Sequence, residues 1–132
     1  MAEHPEPTDR ELEILKLLWE RGELTVREVW EGLRDALPIV QNTVQAFLRT
    51  MEQKGLVEHH TVGRSFVYRA VRPRESTTLS MVSRVLDRVF DGALDQLVES
   101  ALSARRPSKA ELARLRELLQ RAEQRGSRGG RG

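Results

Sequence analysis

Residues 41–70 read QNTVQAFLRTMEQKGLVEHHTVGRSFVYRA, and the spacing inside this stretch decides the fold. Val44, Phe47, Leu48 and Met51 fall at i, i+3, i+4 and i+7, the pattern of one buried stripe on an amphipathic helix. Gly55, after Lys54, suits the left-handed position that ends such a helix. Residues 56–60 and 65–70 then read as two strands, with Gly63 in the tight basic turn between them. Advancing about 100° per residue, the face opposite the stripe carries Asn42, Gln45, Ala46, Arg49 and Gln53. That face offers amides, a methyl and a guanidinium, with no carboxylate and no large apolar group. Such groups read base edges and grip phosphates. A helix followed by a hairpin therefore predicts a DNA-recognition helix with a wing, set against the plainer alternative of a solvated polar face.

Upstream, residues 1–7 carry two prolines and no periodicity, as a loose arm would. Thr8-Asp9-Arg10-Glu11 is a capping box, in which the hydroxyl and the carboxylate each satisfy a free backbone N–H. The helix it opens places Leu12, Leu15, Leu18 and Trp19 on one face and stops at Gly22. Thr25-Val26-Arg27-Glu28 is a second capping box, opening a helix with Val29, Trp30 and Leu33 inward and ending before Pro38. Leu24 and Thr25 can add a short third strand. The sum is a winged helix-turn-helix over residues 1–73. One defect stands out: the recognition helix would be capped by Val40, which has no side-chain acceptor.

Downstream of Pro73 the composition turns aliphatic. Leu79, Val82, Val85, Leu86, Val89 and Phe90 form a broad stripe on a helix expected over 77–90, which Gly92 breaks. Leu94, Leu97, Val98, Ala101 and Leu102 form the next stripe. Ser108-Lys109-Ala110-Glu111 is a third capping box, before Leu112, Leu115, Leu118, Leu119 and Ala122. Three short helices with one aromatic residue bury too little surface alone to offset chain entropy. A second copy resolves this, and a homodimer also sets two recognition helices on successive major-groove faces. Residues 74–125 are thus expected to be a helical dimerisation domain. Its interface would use Leu79, Val82, Leu86, Val89, Phe90, Leu94, Leu97, Val98, Leu112, Leu115 and Leu119. Residues 126–132, basic and glycine-rich, are expected to be a disordered tail. The fold class is mainly α with a small β-hairpin wing.

Composition narrows the function classes. Apolar content is 39% and charged content 32% across 132 residues, which suits small helical units with exposed faces. There is no cysteine, hence no disulfide framework, thiolate metal site or cysteine nucleophile. No apolar run is long enough for membrane insertion, and the acidic, polar start is not a secretory signal, so a cytoplasmic protein is expected. The net charge of +2 conceals an asymmetry. Residues 1–37 carry five Lys/Arg against ten Asp/Glu, whereas residues 38–73 carry five against two. Positive charge begins where the recognition helix begins.

Several residues admit two readings. Arg64 at the wing tip can reach a phosphate or the minor groove, or be an ordinary turn arginine. Thr43 and Ala46 can pack on a thymine methyl, and Asn42, Gln45 and Arg49 can pair with base edges. His59 and His60 alternate on a strand and read as solvated or phosphate-adjacent rather than as metal ligands. Asp87, Asp91 and Asp95 recur every four residues, with Arg84 and Arg88 close enough to pair. Trp19 and Trp30 read as core. Neither a nucleophile–base set nor a phosphate loop is present, so no enzyme, metal or cofactor is expected.

The ordered set of segments TDRELEILKLLWERGELTVREVWEGL, NTVQAFLRTMEQKGLVEHHTVGRSFVYRAV and RVFDGALDQLV resembles the BlaI/MecI/CopY family of penicillinase-type repressors, from about Pro7 to Gln124. The resemblance implies a homodimeric bacterial repressor that binds a palindromic operator in double-stranded DNA. It implies control of beta-lactam resistance or cell-wall stress genes, and release by proteolysis or another signal. Its implied partners are a membrane metalloprotease sensor or a downstream protease. Copper-responsive members need a cysteine-rich motif that this chain lacks. The Asn-Phe bond cleaved in beta-lactam-responsive members aligns here with Ser100-Ala101, a departure from that pattern. The competing class is a winged helix that serves as a protein-interaction module without touching DNA.

Overall fold

The computed structural model describes the backbone of residues 6–129 and the side chains of residues 6–126. Its elements run α1 (Asp9–Arg21), β1 (Leu24–Thr25), α2 (Val26–Leu33), α3 (Gln41–Gln53), β2 (Val57–Val62), β3 (Ser65–Ala70), α4 (Arg74–Phe90), α5 (Leu94–Ala104) and α6 (Lys109–Gly129). The chain divides into two compact units, residues 1–85 and 86–132.

In the first unit, three helices pack on a three-stranded antiparallel sheet of order β1-β3-β2. Its pairing runs from Val57↔Ala70 to Val62↔Ser65, with Leu24↔Tyr68 and Thr25↔Val67 on the far edge of β3. This is the winged helix-turn-helix expected, including the short strand at Leu24. The core comprises Ile14, Leu15, Leu17, Leu18, Leu24, Val29, Leu33, Val44, Leu48, Met51, Leu56, Val57 and Tyr68. Each helix contributes one stripe, so the three form one buried centre that fixes α3 from behind. The stripe of α1 is wider than its sequence pattern: Ile14 and Leu17 are buried as well, while Leu12 and Trp19 are half-buried.

The capping boxes form as written. Thr8 and Thr25 each accept from the N3 backbone, and Glu11 and Glu28 each accept from the N-cap N–H. Glu11 does more, because it is only 2% exposed and also accepts from Lys54 Nζ at 2.6 Å. One carboxylate thereby ties the start of α1 to the end of α3. That end is a Schellman stop: Leu56 N–H donates to Met51 O at 2.9 Å and Gly55 N–H to Glu52 O at 3.0 Å. Gly55 has φ 82°, which a side chain would strain.

In the second unit, no residue from 86 to 126 is buried. Leu94 is 60% and Leu119 66% exposed, and Val89 in α4 is 66% exposed. Among the described residues no helix is long and apolar enough to cross a membrane.

Four expectations need correction. The helix expected from residue 77 starts at Arg74, and Thr77 is a buried residue of it, 5% exposed. The first wing strand runs over Val57–Val62 rather than 56–60, since every residue up to Val62 finds a partner across Gly63. Arg84, expected beside Asp87, Asp91 and Asp95, also reaches across to Glu6, 3.3 Å away. Residues 126–129 are helical rather than disordered, because extending a formed helix adds a backbone bond per residue without a second nucleation cost. Residues 130–132 of the expected tail lie outside the described residues.

Candidate nucleic-acid interface

The helix α3 presents two faces. Val44, Leu48 and Met51 are fully buried, and Phe47 is half-buried. Gln41, Asn42, Thr43, Gln45, Ala46, Arg49, Thr50 and Gln53 are exposed. The face is thus polar and amide-rich along its length, as the periodicity required. Its only acidic residue, Glu52, is half-buried and occupied: His59 Nδ1 lies 2.7 and 2.9 Å from its two carboxylate oxygens.

That contact revises the reading of His59. It is half-buried rather than solvated, and its ring stacks on Phe66 at 4.2 Å with an interplanar angle of 23°. Sequence could not reveal this, because the pair joins positions on different elements. His60 stays exposed, with Nε2 3.7 Å from Glu23. Beneath this group lies Tyr68, whose phenol is pushed above the ordinary value of 10.0 by burial, then by the Glu52 charge, against an opposing pull from Arg49.

Side chains from β1, α2, α3, β3 and the wing turn meet in an open cleft of about 430 Å³ lined by Thr25, Val26, Arg27, Gln41, Gln45, Arg64, Ser65 and Phe66. Of the six residues picked from sequence, Gln45 and Arg64 line this cleft. Asn42, Thr43, Ala46 and Arg49 are exposed on α3 outside it. Arg27, Gln41 and Ser65 were missed. Gln41 could have been found by extending the amide pattern one residue back; Arg27 and Ser65 needed the fold. Arg27 is held by Glu31 one turn on, 3.2 Å away. Arg49 and Arg64 make no hydrogen bond or ion pair among the described residues, so both cations face solvent ready for an anion.

The start of α3 has the defect its sequence announced. Val40 caps it with no side-chain hydrogen bond, and Thr43 and Val44 N–H reach back to Val40 O at 3.1 and 3.2 Å. Asn42 does not rescue the cap. The first amides and the positive end of the helix dipole therefore face outward on the cleft side, a setting that favours negative charge.

The sequence profile of the penicillinase repressor family matches residues 7–121. The chain belongs to that family. It is 30% identical over 121 residues to the penicillinase repressor of Bacillus licheniformis, an alignment covering 91% of this chain and 94% of that one. The solution structure of the DNA-binding domain of the repressor BlaI matches with 31% identity and a TM-score of 0.50, over 56% of this chain and 90% of that domain. A MarR family protein from Bacillus stearothermophilus is similar in fold, with a TM-score of 0.51 at 18% identity over 91% of this chain and 75% of that one. As a family member the chain is a DNA-binding transcriptional repressor and not an enzyme.

Proposed function

We infer that this repressor acts in the cytoplasm as a homodimer on a palindromic operator, each subunit laying α3 in the major groove of one half-site. The observation that carries the reading is the exposed face of α3, where every polar side chain is unoccupied by acid and the one nearby carboxylate is tied to His59. On this face Asn42, Gln45 and Arg49 pair with base edges, and Thr43 and Ala46 pack on thymine methyls. Arg64, at the wing tip, grips a phosphate or enters the minor groove, and Arg27 adds a backbone contact from α2. The outward amides at Val40 suit a phosphate as well.

Dimerisation through residues 74–125 follows from unfinished packing. Leu79, Val82, Val89, Leu94, Val98, Leu112 and Leu119 are exposed, and Leu86, Phe90, Leu97 and Leu115 are only half-buried. Burying one such leucine is worth about 1.5–3 kcal/mol, so leaving the whole set in water is costly. A second copy supplies a matching surface. Release by a protease under a membrane sensor would act on this domain. Ser100 and Ala101 are exposed but lie within α5, so cleavage of that bond requires α5 to open first.

Footprinting of genomic DNA with the purified full chain tests the proposal. The expected result is a protected site with two inverted half-sites about 10 base pairs apart, or a multiple of that. Protection of single, unpaired half-sites would overturn the dimeric reading, and absence of any sequence preference would overturn the recognition assignment.

A further inference from the structure

The segment after β3 reads in sequence as a passage between domains, broken at Pro73. Packing does not end there, because the first compact unit extends to Val85, well inside α4. Several contacts hold the first half of α4 to the winged helix. The Trp19 indole N–H donates to Arg72 O at 3.0 Å. Arg72 Nε donates to Ser76 Oγ at 3.0 Å, and its terminal nitrogen reaches Ser76 Oγ at 2.5 Å, Ser76 O at 3.2 Å and Ser80 Oγ at 3.1 Å. Thr77 is 5% exposed, and Arg84 Nε lies 3.3 Å from Glu6, ahead of α1.

Arg72 is badly placed to serve α4 by itself. A cation just before a helix N-terminus opposes the positive end of the dipole. Its guanidinium nevertheless spans two serines one turn apart on α4, while its backbone is held by Trp19 of α1. That combination makes sense as a brace between the two elements. α4 runs unbroken from Arg74 to Phe90, so the brace acts on the first turns of the helix by which the chain leaves the reading head.

We propose that Arg72, braced on Ser76 and Ser80, is a positioning residue that makes the repressor read the distance between half-sites as well as their sequence. The proposal rests on the homodimer–palindrome reading. A stiff exit lets both heads engage at one spacing only; a loosened exit spreads binding over several spacings.

The test uses the full chain, as wild type, as Arg72→Ala and as Ser76→Ala/Ser80→Ala. The probes are a palindromic duplex selected from random DNA by the wild type, the same duplex with one or two base pairs added or removed at its centre, and a single half-site. Wild type is expected to lose most of its about 10²–10⁴-fold avidity gain when the spacing changes. Both variants are expected to keep the wild-type half-site affinity, which shows an intact reading head, but to lose less than wild type when spacing is altered. An unchanged spacing profile in both variants overturns the brace while leaving the dimer standing. A wild type that binds the full palindrome no better than the half-site overturns the dimer reading, and the brace with it.

Discussion

Glu11 offers the sharpest test of how α3 is held. Its carboxylate, 2% exposed, accepts from Thr8 N–H at 2.9 Å and from Lys54 Nζ at 2.6 Å. Glu11→Ala removes half of a capping box, worth about 1 kcal/mol, and a charge-assisted hydrogen bond, worth about 1.5–3 kcal/mol. Lys54 is 27% exposed on its side chain and can turn to water, so the loss should fall short of that for a wholly buried pair. The expected destabilisation is about 2–4 kcal/mol. Lys54→Met should cost a comparable amount for a different reason, since it leaves a buried carboxylate without its cation. Urea titration of wild type, both single variants and the double variant gives the coupling directly. The double variant should be more stable than the two single losses together allow, with a coupling energy of about 1.5–3 kcal/mol. A coupling below about 0.5 kcal/mol would mean that the contact contributes nothing specific and that α3 is held by its apolar stripe alone.

Other expectations concern the remaining parts. Leu94→Glu places a charge on an apolar side chain that is 60% exposed in the isolated subunit and should convert a dimer into a monomer in sedimentation; an unaltered dimer would remove that stripe from the interface. Arg64→Ala should lower the slope of log affinity against log salt by about 1 and weaken all sequences alike, as a phosphate contact does. A change confined to one base position would instead make Arg64 a base reader. The chain holds a single tyrosine, so its absorbance change in alkali reports Tyr68 alone. Its midpoint should lie above 10.0 in the folded protein and return toward that value in denaturant. Because the folded value is raised, the stability from the neutral phenol is complete below 10.0 and is lost as pH climbs through the folded value.

Much of the fold could be read from local signals, because those signals are local in origin. A capping box spans four residues, a Schellman glycine ends its own helix, and a stripe at helical spacing needs no partner to be recognised. The reading head has all three, so its helices and wing are legible in the chain. The polar face of α3 was legible for the same reason, as the complement of its stripe. What escaped the sequence joins distant positions. Glu52 and His59 pair across two elements, Glu11 serves Lys54 from 43 residues away, and Arg27 enters the cleft only through the packing of α2. The start of α4 escaped for a related reason. Pro73 marked the domain boundary and the aliphatic stripe started the helix only at residue 77, whereas Thr77 is buried and Arg72 is bonded to Ser76.

The central claim is that the exposed face of α3 reads bases. The most direct measurement compares wild type with Arg49→Ala on the selected operator and on random duplex, at matched salt, with Arg106→Ala, in the loop between α5 and α6, as a control. Specific affinity of Arg49→Ala should fall by about 1–3 kcal/mol while non-specific affinity changes little, so that discrimination collapses; Arg106→Ala should leave discrimination intact. Equal discrimination by wild type and Arg49→Ala would contradict the assignment of that position to base reading.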